Sequence, residues 1–399
     1  MQQRYADRLD GLAEEFARHA IAAEVWPETV RHALRAGRRA NSRSAWQAAI
    51  GFLEQVVAAL AHLPRTPETI AQAIAARLEL RIAVVAIGDV PRMMNCLDEA
   101  KALTEEAGDT AGAALIDIRR CMGLSMLGEI AQAVEAGERA LVAAQATGHA
   151  QTQVAASFAL GQALYWAGAL RRTRSVLEAS LEPAREGARH PITGGPGNPP
   201  LLLMTCLART LCLLGDKPRA LALAHEAGHH GAALQRSFDR AEAAAAIGTV
   251  ELASGRVDAA IAVLEAGLEL ARANEHWLVV PMIALALGPA YAAAGDWTRG
   301  AALLEQAIRR CARHGLVTMG AQCRFSLLSM HESVSSPGLH EAAADLHGLA
   351  RRHGFRFLEE QARGLLRRLS GELVTSAPHA DGGCGHVTLS WTGGPREVG

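Results

Sequence analysis

The chain is poor in aromatic residues, in lysine and in strand-forming runs, and each shortage excludes something. Phe, Trp and Tyr supply 4% of the 399 residues although half the chain is hydrophobic, so Ala and other small aliphatic residues must carry the burial. Runs of Val, Ile, Thr and Tyr are scarce, which removes a β architecture and leaves an all-α chain rich in good helix formers. Lys occurs only at 101 and 217. The other basic residues are Arg, and 40 basic against 41 acidic residues give a net charge of −1. No basic block stands out that would neutralise phosphates, so nucleic acid is not an expected partner.

The seven cysteines contain no Cys-x-x-Cys pair. Most fall on apolar helical stripes, where Cys packs as a small hydrophobe, and the missing framework argues for a reducing compartment. The start, MQQRYADRLDGLAEEF, carries charges where a signal peptide is apolar. The most apolar stretches, such as Leu278 to Leu287, reach about half of the ~20 residues a membrane span needs. A cytoplasmic chain with no membrane partner is the expectation.

Catalytic motifs are missing too. No GxxxxGK[ST] phosphate loop exists, and neither the GxSxG nor the dinucleotide-binding glycine pattern occurs in a strand-turn-helix context. His225-Glu226-Ala227-Gly228-His229 satisfies HExxH, which on a helix places two His on one face for Zn²⁺. A metal-dependent hydrolase using it is the alternative reading. However, Glu-Ala-Gly also occurs at 135–137 and 265–267, the extended metalloprotease form fails at Ala232 and Gln235, and Glu251, a downstream candidate for a third ligand, lies on the next repeat. His379, Cys384 and His386 lack a fourth partner. The expectation is no metal, no cofactor and no catalysis.

What the chain does contain is a period. Gly88, Gly128 and Gly168 are 40 apart, as are Gly215, Gly255 and Gly295, and the 168-to-215 step is 47. Each glycine sits between two amphipathic helices. In 277–315, Leu285, Leu287, Ala290, Tyr291 and Ala294 line the first helix; Ala301, Leu304, Ala307 and Ile308 line the second. Gly288, Gly300 and Ala307 let the two backbones approach. Such a unit cannot bury its stripe alone and must stack on copies of itself. The surplus of seven is assigned to a Pro/Gly-rich loop, 187–200, where helix is not expected.

The expected organisation is N-terminal helices over 1–63, repeats over 64–186, the loop 187–200, repeats and a terminal helix over 201–373, and a disordered tail over 374–399. Tyr5 to Ala22, a helix opening at Pro27, and Ser44 to Leu63 are the first three helices. Gly108, Gly148, Gly315 and Gly354 are placed as helix C-caps.

Leu287-Gly288, Tyr291, Gly295, Leu304 and Ala307 match the tetratricopeptide (TPR) pattern; Leu160-Gly161, Gly168 and Leu177, and Ile247-Gly248, Gly255, Ala260 and Leu264 match it in part. The chain therefore resembles TPR arrays, with a longer period. Residues 5–60 resemble the segment that leads into the repeats of bacterial signalling proteins joining an adenylate/guanylate cyclase domain and an ATPase to such an array. This resemblance implies a right-handed α-solenoid of seven to eight helix pairs. It also implies a non-catalytic interaction or sensory module that takes a protein or peptide partner, or a small ligand, on its concave face. The alternative is a fragment of a multidomain adenylate cyclase or transcriptional regulator. If first helices line the groove, its candidate residues are Phe158, Gln162, Tyr165, Trp166, Thr205, Arg209, Glu242 and Thr249. Trp46 and Trp297, near turns, are expected to be structural.

Overall fold

A computed structural model of the chain describes residues 2–43, 45–187, 197–332 and 338–371, the side chains of 2–11 excepted. The expected tail and its His379, Cys384 and His386 lie outside the described residues, as does most of the loop 187–200. Among the described residues there are nineteen α-helices and no strand. No helix among them is long and apolar enough to cross a membrane. The chain divides into two compact units, residues 1–123 and 124–399.

Unit 1 begins with α1 (Gln2–Ala22), α2 (Trp26–Ser42), α3 (Trp46–Leu60), α4 (Pro67–Ala86) and α5 (Val90–Glu106), and contains most of α6 (Thr110–Leu127). From α1 to α5, each helix packs on the next in sequence. Its apolar centre is small-sided, with Ala17, Val30, Ala33, Val56, Ala59 and Ala76 buried together. The cap of α4 shows why the chain turns between α3 and α4. Thr66 accepts the Thr69 N–H, Thr69 returns the bond to the Thr66 backbone, and Pro67 occupies the first turn, where its missing N–H costs nothing.

Unit 2 contains α7 (Ile130–Thr147), α8 (Ala150–Trp166), α9 (Leu170–Ala179), α10 (Leu181–Gly187), α11 (Pro199–Leu213), α12 (Lys217–Ala233) and α13 (Ser237–Ala253). It continues through α14 (Val257–Ala273), α15 (Val279–Ala293), α16 (Trp297–Arg313), α17 (Val317–His331), α18 (Leu339–His353) and α19 (Arg356–Leu369). First helices pack on the next first helix, α8 on α11, then α13, α15 and α17, while each also pairs with its own second helix. Unit 2 is thus an α-solenoid of helix pairs, with the first helices as one continuous layer.

The turn chemistry follows the sequence closely. The Gly-Asp of 215–216 and 295–296 divides the work: the glycine takes the left-handed backbone, φ +92° in both, and the aspartate caps the next helix by accepting the N–H of Arg219 or Arg299. One expectation fails. Pro199 and Pro200 lie inside the segment read as non-helical, yet they form the first turn of α11, and Gly187 ends α10. Two prolines break a helix interior but suit its start, where no N–H is needed.

Candidate functional site

The eight candidate residues lie on α8, α11 and α13, which follow one another in the first-helix layer. Three of them meet. Arg209 Nη1 donates to Glu242 Oε1 at 2.8 Å, and Thr205 Oγ1 donates to the same oxygen at 3.3 Å. The Arg209 and Glu242 side chains are only 13% and 4% exposed. Burial pulls the Arg209 pKa down, but the Glu242 carboxylate, together with Cys206 and Tyr165, outweighs it, and the net shift is upward. The guanidinium therefore stays charged inside the stack.

Tyr165 stands beside this pair. Burial pushes its phenol up to about 12, with the Arg209 charge pulling the other way. Its ring meets Trp166 edge-on, centroids 5.1 Å apart, in the T-shaped geometry that ring quadrupoles favour. Cys206, on the same helix as Arg209, is buried, and burial raises its thiol to about 11. One turn along α13, Asp239 accepts the Asn198 N–H at 2.7 Å and pairs with Arg236 at 2.8 Å. Three helices thus contribute to a polar patch, with Tyr165 beside it and Trp166 against the Tyr165 ring.

The remaining candidates are placed differently. Phe158 is buried in the core, and the Thr249 hydroxyl bonds back to the Ala245 carbonyl at 2.7 Å within its own helix. Gln162 is partly exposed on α8, between Phe158 and Tyr165 in sequence. Trp166 also reaches a second group. It packs on an apolar cluster of Ile130, Ala321, Leu346, Ala350, Phe355 and Leu358, drawn from both ends of unit 2. Sequence periodicity could not have found that contact, because its members come from non-adjacent repeats.

The HExxH residues are engaged elsewhere. Arg185 donates to both Glu226 carboxylate oxygens, at 2.7 and 2.9 Å, while His225 and His229 are exposed on α12. Glu251 pairs with Arg256. No group of three or more His, Cys, Asp or Glu among the described residues could hold a metal. A groove of about 560 Å³ runs along α9, α10 and α12, but its charges satisfy one another: Arg219 and Arg174 bind Glu178, and Arg185 binds Glu182 and Glu226.

No protein-family model matches the chain, and no curated protein matches it. Solved structures do. A Rap conjugation gene regulator of the plasmid pLS20, in complex with the Phr* peptide, is 16% identical with a TM-score of 0.56, over 73% of this chain and 76% of that one. A Rap protein complexed with competence and sporulation factor is 14% identical with a TM-score of 0.54, over 86% of this chain and 97% of that one. TPR-like repeats of a putative kinesin light chain from Podosopora anserina are 21% identical, with a TM-score of 0.41, over 52% and 97%. At these identities the likeness is one of fold, a TPR-like helical-repeat array.

Proposed function

We propose that the chain is a non-catalytic interaction and sensory module, and that the face of α8, α11 and α13 around Tyr165, Trp166, Thr205, Arg209 and Glu242 binds a segment of a protein or peptide. The observation that carries this is the buried Arg209–Glu242 pair. Burying two charges costs several kcal/mol per ion before their attraction repays it, and apolar residues would stack these helices at least as well. A charged, hydrogen-bonded pair beside two aromatic rings is the composition that binding hot spots favour. Two structures of the same fold support the reading, one with the Phr* peptide and one complexed with competence and sporulation factor.

The finer assignment belongs to the same proposal. The module serves a bacterial signal-transduction protein of the ATPase or cyclase type, because residues 5–60 resemble the lead-in to the repeats of such proteins. Capture on the immobilised chain, with mass spectrometry of what is retained, identifies the partner and whether it carries such a domain. A synthetic peptide of the retained segment is then titrated against the wild type, Trp166→Ala and Arg209→Lys. At least a tenfold weaker affinity in variants with unchanged circular dichroism is expected. Equal affinity for all three overturns the site.

A further inference from the structure

The turn glycines of unit 2 occupy equivalent repeat positions but have opposite surroundings. A Cβ added at Gly215, Gly255 or Gly295 would meet nothing within 4 Å. At Gly128 it would lie 3.0 Å from both His353 Nδ1 and Phe355 Cζ, and at Gly168 it would lie 2.9 Å from the backbone nitrogen of Phe357. What covers these two turns is the end of the array. Thr318, at the start of α17, donates through its hydroxyl to the Ser125 carbonyl, 193 residues away. Leu346 and Ala350 of α18, then Phe355 and Leu358, pack with Ile130, Val134, Trp166 and Ala167.

The contact is local. α19 lies along α18, and it is the start of α19 that reaches the turn at Gly168. Phe355, Leu358, Ala350 and Ile130 are buried at the centre of the seat, while Trp166, Ala167 and Gly168 stay partly exposed at its edge. The seat also includes Trp166, one of the two rings at the proposed binding face. Occupying one and releasing the other are therefore linked.

We propose that the α18–α19 hairpin is a displaceable latch that closes unit 2 on itself, and that a partner's amphipathic helix takes its seat on Trp166 and the turns at 128 and 168. The partner would present what the latch presents, an aromatic residue followed three residues later by a leucine, as Phe355 and Leu358 do. Because the coupling works through the differential affinity of a ligand for the open and closed forms, a partner that binds the seat must shift unit 2 toward the open one. This inference rests on the partner-binding reading only for its consequence.

The matched turns give the test. Gly168→Ala and Gly255→Ala strain backbones of nearly the same φ, +77° and +79°, but only the first intrudes on the hairpin. Hydrogen exchange of the full chain is expected to show residues 339–369 exchanging at least tenfold faster in Gly168→Ala than in Gly255→Ala, with α11 to α14 unchanged. Thr318→Val, which leaves every turn intact, is expected to act in the same direction. Equal exchange in the two glycine variants, or loss of protection throughout unit 2 in both Gly168→Ala and Thr318→Val, overturns the latch. In a second arm, a labelled synthetic peptide of residues 338–371 is expected to bind Thr318→Val, whose turns at 128 and 168 are unaltered, at least tenfold more tightly than the wild type. Equal or absent binding means the seat takes no helix in trans and overturns displacement. The exchange arm needs no partner, so its failure leaves the proposed binding face standing, and failure of the Trp166 and Arg209 titration leaves the exchange result untouched.

Discussion

The Leu304 side chain lies 2.7 Å from the point where a side chain at position 288 would begin. The same relationship recurs sixteen residues apart at Gly161 with Leu177, Gly248 with Leu264, and Gly37 with Leu53, at 2.4, 2.3 and 2.6 Å. Each first helix yields its surface to a leucine of the second. Gly288→Ala is therefore expected to destabilise by about 1–3 kcal/mol, the cost of overpacking. Gly51, in α3 with nothing within 4 Å of an added Cβ, is the control: Gly51→Ala is expected to stabilise by about 0.5–1 kcal/mol through chain entropy. Urea midpoints that move the same way for both would contradict this account.

Arg209→Met removes the partner of a buried carboxylate and leaves Glu242 with the Thr205 hydroxyl alone. A loss of about 3–5 kcal/mol is expected. Adding Glu242→Leu should recover most of it, since the stranded charge is gone. Equilibrium unfolding of the single and double variants separates charge burial from lost packing, and a double variant no better than the single one counts against the argument.

Alkaline titration reads Tyr165 and Tyr291 directly. Both phenols are raised to about 12, chiefly by burial; at Tyr291, the 2.6 Å hydrogen bond to Glu265 adds to it. An unfolded tyrosine ionises near 10. Because the folded values lie above the unfolded ones, this stabilisation is complete below pH 10 and is lost as the pH rises through 12. Absorbance titration of the native chain should show two late phenols, with one removed in each of Tyr165→Phe and Tyr291→Phe.

Chelation should leave the melting temperature unchanged, and the purified chain should carry substoichiometric zinc, because Glu226 is already held by Arg185. Arg185→Ala breaks an ion pair that is 39% and 30% exposed, so it should cost at most about 1 kcal/mol. One zinc per chain, lost in His225→Ala, would reverse the assignment of this helix.

How much of this was legible follows from range. The turns, caps and pairing were written locally: Gly295 and Asp296 specify a left-handed residue and an N-cap without reference to the rest of the chain. The Gly37–Leu53 contact shows that the sixteen-residue spacing reaches back to α2 and α3, ahead of the first turn glycine used to read the period. The spacing alone would have found it. Pro199 and Pro200 depart from the expectation because density of proline argues against helix interiors, whereas both stand in the first turn of α11, which local composition does not mark.

By itself the sequence determined an all-α chain of stacked pairs, since a 40-residue recurrence of glycine between amphipathic stripes permits little else. It also placed Tyr165, Trp166, Thr205, Arg209 and Glu242 on first helices. Only the tertiary structure decided that Arg209, Thr205 and Glu242 share one oxygen, and that Gly128 and Gly168 are covered where Gly215, Gly255 and Gly295 are open. The physical reason is that a repeat specifies contacts with its neighbours through its own period. Where the array ends, and which earlier turn its last helices reach, depends on the accumulated geometry of every pair between them.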